Sequence, residues 1–277
     1  MALPRAVQHV RRMRGGAQAH LMRADDEQYY VVKFQNNPQH RRVLANEFLA
    51  LRLAEHIGLP VPLVEVVEVG EWLIANTPEL HVQFAGEKIP CKPGQQIGVR
   101  YAVDPRVGQV FDYLPEQLLD RVRNLDAFAG ALAFDKWTCN ANGRQAVFFR
   151  MARERKYTAV FIDFGHCFNQ GDWSFPDSPL RGVYAWNAAY AAVRSWHSFS
   201  PWLERIEALD ERVAYAIGEQ IPPEWYGDPD ELERLVAQLM KRRKRVRELV
   251  EEFRRSTRQP FPNWEEEPSA VTHHLIS

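Results

Sequence analysis

The chain has 277 residues, of which 45% are hydrophobic and 26% charged, and its formal net charge is −1. This length suits one large domain or two lobes with a substantial core, and the balanced charge gives no general reason to expect nucleic-acid or membrane binding. Three widely spaced cysteines without a CxxC pair indicate neither a disulfide framework nor a structural zinc site. No apolar run is long enough for a membrane span, and no secretory signal is visible. We therefore expect a cytoplasmic protein.

The first 34 residues predict β-strands around a glycine turn. Residues 29–34 are rich in β-branched and aromatic side chains, which favour a strand. Lys33 lies near the end of this strand and faces the opposite side from its two apolar neighbours. A lysine there is usually solvated, but a kinase can use it to bind phosphate if a following helix supplies a carboxylate. Gly15 and Gly16 could bring backbone amides close to a phosphate, although a plain hairpin turn is the simpler interpretation of the pair alone.

A helix is predicted from residue 40 to residue 57, where apolar side chains recur at helical spacing before a glycine and a proline. Glu47 lies inside this helix and Glu55 lies closer to its end, so Glu47 is the better candidate for an ion pair with Lys33. An exposed glutamate is the ordinary alternative for either residue. The combination with Lys33 and with acids further along the chain favours the pair.

Two further strands are predicted at residues 61–69 and 72–75. Residues 76–116 are rich in proline and glycine and show little periodicity. We therefore interpret residues 81–115 as a connector between two lobes, part of which lines a ligand cleft. No residue of this segment can be singled out as a contact to a nucleotide base.

A helical apolar stripe from about residue 116 leads directly to Asp135. Asn140 follows five positions later, and Asp163 follows an apolar strand. An acid, an amide and a second acid in this order suit a phosphoryl-transfer site. One carboxylate would contact the attacking hydroxyl, while the amide oxygen and the other carboxylate would hold magnesium.

A small hairpin is predicted between these two polar segments, with Asn142-Gly143 as its turn and residues 147–149 as one strand. A polar loop at residues 171–183 follows. Further helices are predicted at residues 186–196, 202–217 and 229–255. The last of these carries a basic run at residues 241–247, which we interpret as a solvated face with ion pairs rather than as a nucleic-acid patch.

Together these elements predict an α+β fold with two lobes and a cleft between them. The N-lobe, residues 1–80, is β-rich with one key helix, and residues 81–115 form the connector. The C-lobe, residues 116–260, is mostly helical and contains the small hairpin. Residues 261–277 are predicted to be a flexible tail, whose His273-His274 pair indicates a disordered end rather than a metal site.

The order of these residues resembles that of protein-kinase-like folds. Four segments in particular resemble a short subfamily of the HipA-like kinases, which are bacterial relatives of the phosphatidylinositol kinase-like branch: YYVVKF, NEFLALRLAEHIGLPVP, FDKWTCNANGRQ and FIDFGHCF. The resemblance covers roughly residues 10–185. The sequence lacks the GxGxxG loop and the His-Arg-Asp triplet of eukaryotic-type protein kinases.

The resemblance implies binding of ATP and Mg2+ and a role for each polar residue. Lys33, paired with Glu47, would contact the α- and β-phosphates, and Asp135 would orient or deprotonate the acceptor hydroxyl. Asn140 and Asp163 would hold the magnesium ions.

Further positions are implied less directly. Gly15 and Gly16 would belong to the loop over the phosphates, and Lys136 could neutralise charge on the transferring phosphoryl group. Asn142 is an alternative to Asn140 as the amide ligand.

The resemblance implies a kinase that phosphorylates a protein serine or threonine, with a cognate regulatory protein of the toxin–antitoxin kind as a possible partner. HipA toxins are silenced by phosphorylation of a serine in the phosphate loop, but residues 14–20 contain no serine or threonine. Two alternatives use the same fold. One is a nucleotide-binding pseudokinase or regulatory module without transfer, and the other is a small-molecule kinase or nucleotidyl transferase.

Overall fold

The computed structural model describes residues 2–104 and 107–265, so the predicted His273-His274 tail lies outside the described residues. The strands are β1 Ala6–Arg12, β2 His20–Ala24, β3 Tyr29–Lys33, β4 Val64–Val69, β5 His81–Phe84, β6 Glu87–Pro90, β7 Gly94–Arg100, β8 Gly108–Phe111, β9 Gln145–Met151 and β10 Thr158–Ile162. The helices are α1 Val43–His56, α2 Glu71–Ala75, α3 Ala127–Thr138, α4 Trp202–Glu207, α5 Glu211–Gly218, α6 Pro229–Arg242 and α7 Val246–Arg254.

The N-lobe is built on an antiparallel sheet with the strand order β1-β2-β3-β7-β4. Its two ends meet, because the Glu68 backbone N–H on β4 donates to the Pro4 carbonyl just before β1, at 2.9 Å. Tyr30 and Val32 on β3 are buried, as alternation predicts. Helix α1 packs against this sheet and against the C-lobe, and eleven of its residues are buried.

The interpretation of residues 81–115 as a loose connector is corrected by the structure. This segment contains the β5–β6 hairpin and β7, which is paired on both sides within the N-lobe sheet. The glycines of β7 are untypical of a strand, so the sequence did not predict one here. Close packing within the sheet nevertheless requires a glycine at position 98. A Cβ on Gly98 would lie 2.3 Å from Val67 Cγ2 and 3.1 Å from the Tyr30 ring.

The predicted strand at residues 72–75 is helix α2 instead. Gly70 precedes it in an extended conformation, and its carbonyl accepts from the N–H groups of Leu73 and Ile74 at 3.2 and 3.3 Å. A run of four apolar residues is too short for its periodicity to separate a helical turn from a strand.

The C-lobe is organised around α3, all of whose residues are buried. The single helix predicted to lead into Asp135 is divided into a 3-10 segment, Glu116–Arg121, and α3. Strands β8, β9 and β10 form a three-stranded sheet beside it. The β9–β10 turn lies at residues 152–157, and not at Asn142-Gly143, which precedes β9.

The predicted helix at residues 229–255 consists of α6, a 3-10 turn and α7. Its basic run is not a solvated face throughout. Arg242 is buried, forms an ion pair with Asp177 at 2.6 Å, and donates to the backbone carbonyls of Trp137 and Lys136. Phe261, assigned to the flexible tail, is also buried and packs against the rings of Tyr190, Phe199 and Phe253.

Within the described ranges, no helix combines the length and the apolar character needed to cross a bilayer.

Candidate active site

Lys33, Glu47 and Asp163 form one charged cluster across the boundary between the lobes. The Lys33 Nζ lies 2.5 Å from Glu47 Oε2 on α1 and 2.9 Å from Asp163 Oδ1, which follows β10. The Lys33 and Glu47 side chains are almost fully buried, whereas Asp163 keeps 17% of its surface exposed. The cluster therefore places a lysine and an open carboxylate at the same point of the cleft.

The electrostatics of this cluster favour a charged lysine and a charged aspartate. Burial lowers the pKa of Lys33, but the carboxylates of Glu47 and Asp163 raise it by more, so the net direction is upward. Burial raises the pKa of Asp163, but Lys33, with smaller contributions from His166 and Arg144, lowers it by more, so the net direction is downward. Burial also raises the pKa of Glu47, against the opposing effect of Lys33. The Lys33 ammonium thus forms ion pairs with two carboxylates, of which only that of Asp163 is exposed to a ligand.

Asp163 is held in an uncommon backbone conformation. Its φ is +59°, in the left-handed region that non-glycine residues rarely adopt. The next residue, Phe164, is buried against Phe134, with ring centroids 5.7 Å apart, and the Arg144 guanidinium lies 3.9 Å over its ring. Gly165 allows α1 to approach, because a Cβ there would lie 2.5 Å from Val43 Cγ2. Packing on both sides therefore fixes the direction of the Asp163 carboxylate.

Asn46, one residue before Glu47, joins α1 to the segment that follows Asp163. Its side-chain amide donates to the carbonyls of Gly165, Cys167 and Gln170 at 3.1, 2.9 and 2.7 Å. Its oxygen accepts from Trp173 Nε1 at 2.7 Å. Because Asn46 is fully buried, these bonds hold α1 in the position where Glu47 reaches Lys33.

Arg42 makes a second connection between α1 and the C-lobe. It forms an ion pair with Glu231 on α6, donates to the Gly171 carbonyl at 2.9 Å, and lies over the Trp173 ring at 4.0 Å. Asn46 and Arg42 were not predicted as site residues, since their partners lie more than a hundred residues away in the sequence.

Asp135 lies at the end of α3 with only 1% of its surface exposed. Arg144 Nε and Nη2 donate to its two oxygens at 2.8 and 2.6 Å, and Asn140 Nδ2 donates at 3.0 Å. A third Arg144 nitrogen donates to the Ile162 carbonyl at 2.8 Å. These contacts give Asp135 an evident structural role, in which it ties the loop at residues 139–144 to the strand that carries Asp163.

Asn140 is engaged in the same way. It is fully buried, its Nδ2 contacts Asp135, and its Oδ1 accepts from the Asn142 N–H at 3.0 Å. Both polar atoms of the Asn140 amide are thus satisfied within the loop. Asn142, the alternative amide, is exposed.

Lys136 is turned into the C-lobe. Its Nζ donates to the carbonyls of Ser178, Pro179 and Arg181, and lies 5.0 Å from the centroid of the Phe253 ring. Burial lowers the pKa of this amine to about 8. Lys136 therefore holds the segment at residues 178–181, and its amine is not available to a phosphoryl group in this arrangement.

Gln145 contacts Asp163 directly and was not identified from the sequence. It is the first residue of β9, pairs with Ile162, and donates from Nε2 to Asp163 Oδ2 at 2.7 Å. Its side chain is exposed. A correct hairpin register would have indicated it, because the residue opposite Ile162 is a close cross-strand neighbour of the acid that follows.

The oxygen atoms of Asp163 and Gln145 are the type of ligand that Mg2+ prefers. Among the described residues, no group of three or more His, Cys, Asp or Glu side chains could enclose a metal. A magnesium ion at Asp163 would thus take its remaining ligands from water and phosphate oxygens, as is usual for this ion in phosphoryl-transfer sites. The donor set fits this mode of binding.

Gly15 and Gly16 lie in the loop between β1 and β2, at residues 13–19. Gly15 has a φ of +116°, which glycine adopts without strain. A Cβ on Gly16 would lie 3.4 Å from Gln39 Nε2, and the same nitrogen contacts His166 Nε2 at 3.2 Å. The Gln39 side chain thus lies close to the loop and contacts His166, the residue that follows Asp163-Phe164-Gly165.

One kinase family and several solved kinase structures are similar to this chain. The family described as HipA-like kinase matches residues 7–92, which include the β1–β2 loop, Lys33 and Glu47. A search of curated proteins finds no significant match.

Solved structures resemble nearly the whole chain. The Helicobacter pylori proinflammatory kinase CtkA has a TM-score of 0.57 at 12% identity, over 89% of this chain and 96% of its own. Hydra Fam20 has a TM-score of 0.54 at 11% identity, over 91% and 86%. Shewanella oneidensis HipA, solved with HipB and operator DNA, has a TM-score of 0.51 at 15% identity, over 90% and 68%.

The predicted two-lobed protein-kinase-like fold is thus confirmed across both lobes. The predicted resemblance to HipA-like kinases is confirmed by the family match at residues 7–92 together with this fold.

Proposed function

We propose that this chain is an ATP- and magnesium-dependent kinase that transfers the γ-phosphate to a hydroxyl group, with a protein serine or threonine as the acceptor. The observation that carries the proposal is the contact of Lys33 with both Glu47 and Asp163. A buried lysine aligned by one carboxylate and adjacent to an open second carboxylate is suited to bind phosphates and a divalent cation together.

Each residue of the cluster has a separate role in this proposal. Lys33, kept charged by its two carboxylates, binds the α- and β-phosphates, and Glu47 fixes the direction of its ammonium group. Asp163 and Gln145 would hold the magnesium ion, Gln145 through its amide oxygen. Bound Mg2+ supplies charge neutralisation for the phosphates. Most of the catalysis in such a site comes from positioning and electrostatics. The buried packing around Asp163 contributes by fixing the direction of its carboxylate before ligands bind.

The site residues are therefore revised from the assignment based on sequence. Gln145 replaces Asn140 as the proposed amide ligand, since both polar atoms of Asn140 are engaged within the loop. Asp135 and Lys136 become positioning residues for the segments at residues 139–144 and 178–181. The exposed loop around Asn142 and Gly143 is the part of this segment that an acceptor could approach.

A second candidate function is nucleotide binding without transfer. It is favoured by the burial of Asp135 and by its bidentate contact with Arg144, because both oxygens of this carboxylate are occupied by the guanidinium and turned away from solvent. A regulatory protein could be the partner in either case, since the structurally similar Shewanella HipA was solved with HipB.

Incubation with ATP labelled at either the γ- or the α-phosphate, in the presence and absence of Mg2+, tests the reaction class. Transfer of the γ-label alone, to this chain or to a protein in a cell extract, supports the proposed kinase. Transfer of the α-label would instead indicate a nucleotidyl transferase. Binding of Mg·ATP without transfer of either label would favour the second candidate.

A further inference from the structure

In the loop at residues 13–19, the adjacent residues Ala17 and Gln18 are bonded to different parts of the N-lobe. Asn37 Nδ2, in the segment that joins β3 to α1, donates to the Ala17 carbonyl at 2.9 Å. Asn37 is itself buried. Gln18 makes the other contacts.

Gln18 bonds to the inserted β5–β6 hairpin in the manner of a strand residue. Its Nε2 donates to the Gln83 carbonyl at 2.8 Å, and its Oε1 accepts from the Gln83 backbone N–H at 2.7 Å. The side-chain amide thus satisfies both backbone polar groups of one residue of β5. Gln83 opposes Lys88 within the hairpin, so its N–H and carbonyl point away from β6 and are free for this contact.

Two further side chains strengthen this junction. Arg12, the last residue of β1, donates to the same Gln18 oxygen, and its other terminal nitrogen lies 3.5 Å from His81 Nε2. At the base of the hairpin, Asn36 donates to the Pro90 carbonyl at 2.9 Å and accepts from the Lys92 N–H at 3.1 Å. The hairpin is therefore bonded both to the loop and to the end of β3.

Gln18 also adopts a φ of +49°, in the left-handed region that favours glycine. This backbone conformation is unfavourable for a glutamine, and the three hydrogen bonds of its side-chain amide offset the cost. Glycine would adopt the same backbone conformation more readily but would make none of these contacts.

From these contacts we propose that the β5–β6 hairpin is a clamp that keeps the phosphate loop ordered before nucleotide binds, with Gln18 as the positioning residue. Ordering the loop in advance removes part of the entropic cost of closing it on a ligand. The proposal rests on the proposed function for its effect on ATP, but the ordering of the loop is a property of the chain by itself.

The test compares Gln18→Ala and Gln18→Gly with Gln83→Ala. Only the main chain of Gln83 takes part in the clamp, so truncation of its side chain is a matched control. Without nucleotide, backbone amide exchange in residues 13–19 should become about tenfold faster or more in both Gln18 variants, because two hydrogen bonds to the hairpin are lost. It should be unchanged in Gln83→Ala.

A second readout follows ATP. Both Gln18 variants should raise KM for ATP, or Kd where transfer is absent, about threefold to tenfold, with kcat within twofold of the wild type. Exchange in residues 13–19 that stays at the wild-type rate in both Gln18 variants, with the fold intact, would overturn the clamp. If the wild type itself binds no Mg·ATP, the proposed function fails, and the exchange measurement still decides whether the clamp exists.

Discussion

Arg144 donates to both carboxylate oxygens of Asp135, and both side chains are almost fully buried. Burial lowers the pKa of Arg144, but Asp135 raises it by more, so the guanidinium stays charged. Removal of the Asp135 charge alone should therefore leave an unpaired buried cation, at a cost of about 3–5 kcal/mol in the free energy of unfolding. Asp135→Asn can for this reason lose activity without Asp135 being a catalytic base.

The double variant Asp135→Asn/Arg144→Gln separates the two roles. It removes both charges at once, so denaturant unfolding should recover most of the stability lost in Asp135→Asn. Because we assign Asp135 to positioning, Mg·ATP binding should recover as well, and transfer activity, where present, should return with it. Recovery of stability and nucleotide binding while transfer stays absent would show that Asp135 is needed for the chemistry itself.

Gly165 permits the close contact between α1 and the segment after Asp163. Gly165→Ala would place a Cβ 2.5 Å from Val43 Cγ2, so it should destabilise the fold by about 1–3 kcal/mol and weaken Mg·ATP binding by displacing Glu47. Addition of Val43→Ala removes the clashing methyl group and should restore part of the nucleotide binding. Gly70→Ala is the control, since a Cβ there meets nothing within 4 Å. Wild-type binding by Gly165→Ala alone would contradict this account of α1.

Gln145 is the proposed amide ligand for magnesium. Gln145→Ala should raise the Mg2+ concentration needed for half-maximal ATP binding by about tenfold, which corresponds to about 1.4 kcal/mol of lost ligand interaction. The comparison variant is Asn142→Ala, which removes the exposed amide of the loop that precedes β9. If Asn142→Ala raises the required Mg2+ concentration and Gln145→Ala does not, Asn142 and not Gln145 is the amide ligand.

His20 gives the N-lobe a predictable sensitivity to acid. Its ring is buried beside His9 and Arg12, and burial, reinforced by these two neighbours and partly opposed by a backbone hydrogen bond with His81, lowers its pKa to about 4 from 6.5. The unfolded chain therefore takes up a proton between pH 6.5 and pH 4 that the folded chain does not bind, and stability falls as the pH falls through this range.

Urea unfolding of the wild type and His20→Gln at pH 7.5 and pH 5 tests this dependence. The wild type should lose more free energy of unfolding between the two pH values than His20→Gln, by on the order of 1 kcal/mol. His9, whose pKa is also lowered by burial, remains in both proteins and contributes in the same direction. Equal losses in the two proteins would contradict a neutral buried His20.

Local patterns were sufficient to predict strands β1 to β4 and the approximate positions of α1, α3 and α4 to α7, because each carries its own hydrophobic period. Strand β7 was missed because its glycines and glutamines do not resemble a strand, and packing against Val67 and Tyr30 alone explains Gly98. The sequence also indicated Lys33, Glu47 and Asp163, because their residue types and their order along the chain are distinctive.

Local patterns could not predict which of the remaining polar residues support the loop and which face a ligand. Asp135, Asn140 and Gln145 are all polar residues near a strand or helix end, and only burial and register distinguish those that support the loop from those that face a ligand. Asn46 and Arg42 act through carbonyl groups of distant residues, for which the sequence carries no local signal.

The most direct test of the account is calorimetric titration of Mg·ATP into the wild type, Asp163→Asn and the control Asp120→Asn, which changes an exposed carboxylate of the C-lobe. The wild type and Asp120→Asn should bind Mg·ATP with the same affinity. Asp163→Asn should bind at least tenfold more weakly, should lose the dependence on Mg2+, and should not transfer phosphate. Binding and transfer by Asp163→Asn at the wild-type level would contradict the assignment of the site.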